Sequence, residues 1–199
     1  MKHAFVVLSG LFLLAAGPRA GHGAVTIVAK EISGNVVFAG SGTINLAGFT
    51  TFRTVSLLSG VYPVNTPYPP GVTLGGNSTG AIPADAYGGF PTGPSTFGFG
   101  DFRVADLVNG DRFGAGNNIS TREIYVPSQY QSGVMLSGSS TYVSETFSSL
   151  GIVPGTYVWA WGSGANADSL TLNIIRIPEP SSGLLLFAGF AAMLIQRWK

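Results

Sequence analysis

Apolar and polar residues alternate in short bursts along most of this chain, separated by glycine, proline, serine and asparagine rather than by long amphipathic runs. Alternation at period two is the mark of a half-buried strand. Residues 24–30 (AVTIVAK), 36–38 (VVF), 43–46 (TINL) and 50–58 (TTFRTVSLL) read as strands on this basis. Residues 101–113 read as a hairpin turning on Asn109-Gly110, a pair that tolerates left-handed backbone angles. Residues 122–126, 133–137 and 140–143 follow as short strands, and 144–150 as a segment that could form one helical turn. The clearest pair is 156–161 (TYVWAW) and 168–177 (DSLTLNIIRI), joined by a glycine-rich turn at 162–167.

One stretch breaks the rhythm. Pro63, Pro67, Pro69, Pro70, Pro83, Pro91 and Pro94 fall between residues 60 and 100, where proline leaves room only for short edge strands. A long ordered excursion over one end of a sheet is expected there, tied down by Tyr62, Tyr68, Tyr87, Phe90, Phe97 and Phe99. Many short strands without a long helix predict an all-β domain, a sandwich or jelly-roll-like fold of short antiparallel strands.

Two longer apolar runs lie outside this pattern, one at each end. Lys2, the apolar residues 4–16, Pro18 and the small residues from Ala20 to Ala24 have the three parts of a secretory leader. Residues 1–23 are therefore expected to be a signal helix, cut by signal peptidase between Ala20 and Ala24. At the other end Pro178-Glu179-Pro180 precedes the apolar residues 183–195, and Arg197, Trp198 and Lys199 close the chain. The prolines favour extended, accessible backbone. Thirteen helical residues rise only about 20 Å, short of a bilayer core of about 30 Å. A single transmembrane helix over 183–196 must borrow its flanks, with Arg197 and Lys199 on the cytoplasmic side and Trp198 at the interface. Such a marginal span suits a transient anchor with residues 24–177 on the outer side of the membrane, which for a bacterium with two membranes means the inner membrane and the periplasm.

This ending resembles the PEP-CTERM sorting signal of secreted bacterial proteins, over about 22 residues from Pro178 to Lys199. The body segments 40–49, 93–101 and 155–174 also resemble recurring stretches of such proteins. The resemblance implies an exosortase substrate, with Pro178, Glu179 and Pro180 as recognition residues and the cell envelope or extracellular polysaccharide matrix as destination. Where many relatives carry an arginine cluster, this tail has two basic residues split by Trp198.

Charge narrows the partners. Residues 24–177 hold six basic and eight acidic side chains, about −2 net, without a basic stripe, so nucleic acid is not an expected partner. The chain has no cysteine, and His3 and His22 both lie before Ala24. Serine–histidine and cysteine–histidine nucleophiles therefore fall away, as do zinc or copper sites built on those residues. The remaining chemistry is that of oxygen. A glycosidase pair would come from Asp101, Asp106, Asp111, Glu123 and Glu145, and residues 106–111 depart from the order of a calcium loop. Tyr157, Trp159 and Trp161 share one strand face, which serves either as sandwich core or as a ligand platform on which sugars stack.

The sequence thus predicts a non-enzymatic exported surface or matrix protein with no cofactor or metal. A carbohydrate-binding module for exopolysaccharide is the alternative, and a carboxylate-based glycoside hydrolase the third reading.

Overall fold

The computed structural model describes residues 24–64, 69–90, 92–118 and 121–176. The segments expected to be a leader at 1–23, a sorting motif at 178–180, a membrane helix at 183–196 and a basic end at 197–199 lie outside the described residues, as does Tyr68. Among the described residues no helix is long and apolar enough to cross a membrane.

Among the described residues, thirteen strands form two sheets facing each other as a β-sandwich. They are β1 (Ala24–Ile32), β2 (Asn35–Gly42), β3 (Thr51–Leu57), β4 (Gly60–Tyr62), β5 (Gly71–Leu74), β6 (Ile82–Phe90), β7 (Arg103–Val104), β8 (Leu107–Gly110), β9 (Phe113–Asn118), β10 (Thr121–Pro127), β11 (Leu136–Tyr142), β12 (Gly155–Trp161) and β13 (Asp168–Ile174). The smaller sheet runs β12-β13-β1-β2-β11-β8 and the larger β3-β6-β10-β9-β5-β4-β7. All neighbours are antiparallel except β1 and β13, which run in parallel with Ala24 beside Ser169 and Ala29 beside Ile174. The sequence reading expected antiparallel strands throughout.

Alternation does the work assigned to it. Val25, Ile27 and Ala29 of β1, Val36 and Phe38 of β2, and Leu170, Leu172 and Ile174 of β13 all point inward and are buried. Val72, Leu74, Phe113, Ala115, Ile124 and Val126 meet them from the larger sheet in one continuous core. Each such side chain contributes about 1.5–3 kcal/mol on burial, and in a chain without disulfides this packing carries the fold.

Three sequence-based expectations need correction. Residues 43–46 form no strand. Ile44 is buried, but its N–H donates to the Tyr130 hydroxyl, and that of Asn45 donates to Asp168. The Asn45 side chain then caps the short 3-10 turn Leu46–Gly48 by accepting from Ala47. Side-chain partners replace a ladder here, a competition that serine, threonine, asparagine and aspartate often win. Residues 101–113 form no hairpin either. Asn109 pairs with Ser139 of β11 in the smaller sheet, while Phe113 pairs with Leu74 in the larger one. The turn chemistry of Asn109-Gly110 is spent on changing sheets.

The proline-rich stretch is the third. It contributes β4, β5 and the nine-residue β6, which lies between β3 and β10 in the larger sheet. Pro83 is tolerated because β10 stops pairing with β6 at Ala84, so only β3 lies beside it. Phe90 and Phe97 are buried as expected, and Tyr62 and Tyr87 are half-buried. Phe99 is 80% exposed and ties nothing down.

Arg112 stands at the sheet crossing, almost fully buried. Its guanidinium donates to the carbonyls of Gly75, Leu57, Gly80 and Ser78, at 3.2, 2.5 and 2.8 Å for the first three. Burial pushes its pKa down from the usual arginine value. One cation thereby holds both flanks of the β4–β5 unit against the loop leading into β9.

Candidate binding face

The aromatic strand named by the sequence is core. Trp159 is 0% and Trp161 3% exposed, and Tyr157 is half-buried with its hydroxyl donating to Val153. Trp161 stacks on Phe49 at 5.2 Å and donates its indole N–H to the Asn45 carbonyl. Phe97 meets Trp159 edge-on at 6.3 Å. A sugar platform needs open ring faces, and these faces are occupied by neighbouring side chains.

The outer face of the larger sheet offers a different site. Outward positions on its middle strands carry Gly60 of β4, Gly71 and Thr73 of β5, and Gly114 and Gly116 of β9, in register with one another. The missing side chains leave a trough of about 470 Å³, walled by Tyr62, Phe102 and Tyr125. The rings lie directly on glycine backbone. A Cβ on Gly60 would stand 2.6 Å from Phe102 Cε2, and one on Gly116 would stand 2.9 Å from Tyr125 Cε2. Phe102 is 50% exposed and Tyr62 meets it edge-on at 6.5 Å. Leu57, Leu58 and Ala81 close one end. The result is an apolar cleft with a few hydroxyls, the usual composition of a ligand pocket.

A buried polar group borders it. Glu123 of β10, 3% exposed, receives both Arg53 donors of β3, Nε at 2.8 Å and Nη2 at 2.7 Å. That hydrogen bond raises the Arg53 pKa above its usual value. Burial, reinforced by the charge of Glu123 and a hydrogen bond to it, pushes the Tyr125 phenol well up, so the ring wall stays neutral.

Most of the other carboxylates accept from backbone N–H groups. Asp106 accepts from the Val143 amide at 2.9 Å and pairs with Arg103 at 3.0 Å. Burial alone would raise its pKa, but the Val143 amide and Arg103 outweigh that and hold it below the ordinary value. Glu145 reaches the same Arg103 at 3.4 Å. Asp111 accepts from Ser137, Asp85 from Gln129, Asp168 from Asn45, and Glu31 from Phe147. Asp101 is exposed. Among the described residues no three acidic side chains cluster as a cation site requires.

Sequence reasoning missed the trough, although a signal existed. Glycine at alternate positions of one strand, Gly114 and Gly116, strips a sheet face and invites a neighbouring ring onto it. No family model, curated protein or solved structure matches the chain.

Proposed function

We propose that this chain is an exported bacterial surface or matrix protein, sorted by an exosortase-like enzyme at Pro178-Glu179-Pro180, whose β-sandwich serves binding rather than catalysis. The observation that carries the sorting reading is the co-occurrence of four parts in one chain. They are a leader-like start, the PEP tripeptide, a short apolar run and the basic end Arg197–Lys199. The parallel pairing of β1 with β13 supports it. The chain enters the sandwich beside Ser169 and leaves it beside Ala29, so tail and leader attach at opposite ends. The membrane-proximal end then belongs to the tail alone. Signal peptidase and the sorting enzyme are the processing partners, and the inner membrane is the transient site.

The test replaces Pro178, Glu179 and Pro180 by alanine. Export should persist while the protein accumulates in the inner-membrane fraction. Release into the envelope or medium at the normal rate would refute sorting through this motif.

The trough favours a second, compatible reading as a polysaccharide-binding module. An exposed Phe102 ring and the Tyr62 edge offer stacking surface within the same lining. A glycan-array screen of the secreted protein tests it, with loss of signal expected in Phe102→Ala.

A further inference from the structure

Among the described residues, strand β3 forms one margin of the larger sheet and pairs on one side only, with β6. Two prolines fix which of its backbone groups face outward. Pro83 stands opposite Ser56, and Pro127 of β10 stands opposite Ala84. A proline has no N–H, so neither pair can be the kind that exchanges two hydrogen bonds. From both positions the alternation runs the same way. Ala84, Ala86 and Gly88 bond toward β3, while Asp85 and Tyr87 bond toward β10. Thr51, Arg53 and Val55 thus spend their N–H and C=O groups on β6. Those of Phe52, Thr54 and Ser56 point away from the sheet, three donors and three acceptors in a row.

Open margins are normally blunted by lysine, proline, a bulge or a covering segment. Between Thr51 and Leu57 the register with β6 runs unbroken, and the span contains no lysine or proline. Its single charge, Arg53, is drawn across the sheet onto Glu123. The first four residues are all exposed, Phe52 at 59%. The other margins differ. Thr92 bridges Ala160 on β12, β7 has two residues and β8 has four.

We propose that β3 is a self-association edge, pairing antiparallel with β3 of a second copy about Thr54 so that two larger sheets become one. The sequence is self-complementary in that register. Thr54 faces Thr54, Phe52 faces Ser56 and Arg53 faces Val55. The three outward-pointing residues meet one another in hydrogen-bonded pairs. No like charges stand opposite, and each Arg53 remains neutralised by Glu123 of its own chain. The central threonine–threonine contact is favourable, and main-chain bonding of this kind is the usual basis of strand addition.

The absence of cysteine makes the test direct. The full chain carrying Thr54→Cys is expressed in cells, and intact membranes are treated with a mild oxidant. Residues opposite each other in a hydrogen-bonded pair have Cα atoms about 5.5 Å apart, within disulfide reach. A covalent dimer is expected with Thr54→Cys, and a mixed dimer when Phe52→Cys and Ser56→Cys chains are co-expressed. Phe52→Cys alone and the exposed control Gln131→Cys should give none. Adding Thr54→Pro to the Phe52→Cys chain removes an outward N–H without touching the β6 ladder, and should abolish the mixed dimer. Absence of linkage at Thr54→Cys overturns the proposal. So does linkage in Phe52→Cys alone, which means another register, or equal linkage at Gln131→Cys, which means collision through another part of the chain.

Discussion

Arg53 lays its guanidinium across β6 and closes with two bonds, 2.8 and 2.7 Å, on a Glu123 carboxylate that is only 3% exposed. The arginine is partly solvated, at 43% side-chain exposure, while the acid is not. The two partners are therefore unequal. Arg53→Ala leaves a buried acid without its cation and should cost about 1–3 kcal/mol. Glu123→Gln added to Arg53→Ala removes the stranded charge and should recover part of that loss. Urea titrations of the two single variants and the double variant measure the coupling.

Arg112 has the opposite character, a buried cation answered by carbonyl dipoles. Its four acceptors are Gly75, Ser78 and Gly80 in the one loop after β5, and Leu57 at the end of β3. Lysine cannot reproduce a planar fork of donors and sheds its charge more readily when buried. Arg112→Lys should therefore destabilise nearly as much as Arg112→Ala, each by about 3 kcal/mol or more. Hydrogen exchange should show the β4–β5 unit opening first in both variants.

Tyr142 sits edge-on to Phe38 at 5.5 Å, and its hydroxyl has no hydrogen-bond partner among the described residues. Burial raises its pKa far above the ordinary 10.0. A raised folded value means that the unfolded chain loses the proton first. The contribution is full below pH 10 and is lost as the pH rises through the folded value. Tyr142→Phe keeps the ring contact and removes both the orphaned hydroxyl and this titration. It should stabilise the domain by about 1 kcal/mol at neutral pH. The alkaline unfolding midpoint should also move upward, with the remaining alkaline loss shared by Tyr125, Tyr130, Tyr157 and Tyr87, whose pKa values burial also raises.

The strands that alternation made visible are the ones whose partners are other strands. Residues 24–30 and 168–174 appear almost as read, because Val25, Ile27, Leu170 and Leu172 need only a facing sheet. Residues 43–46 have the same alternation and fail, because Asp168 and Tyr130 from distant parts of the chain, with Asn45 itself, supply side-chain hydrogen bonds that no period reveals. The parallel contact between the first and last strands is equally invisible, being set by how the whole sandwich closes. For the binding face, Trp159 and Trp161 drew the eye because large rings signal both core and platform. Tyr62, Phe102 and Tyr125 come from three distant segments, and only sheet register brings them to one trough.

That contrast between rings yields a decisive comparison. Phe102 is half exposed over the Gly60 backbone, whereas Trp159 is fully enclosed by the two sheets. Cutting Trp159 to alanine opens a cavity in the core and should cost about 3–5 kcal/mol. Cutting Phe102 to alanine removes a ring that is half in solvent and should cost much less, about 1 kcal/mol. If the trough takes polysaccharide, ligand retention follows the opposite order. Phe102→Ala should migrate freely through a polysaccharide-containing native gel while melting close to the unaltered protein. Trp159→Phe, which keeps the core filled, should still be retarded. Retardation lost in Trp159→Phe but kept in Phe102→Ala would move the ligand to the β12 face and away from the glycine-floored trough.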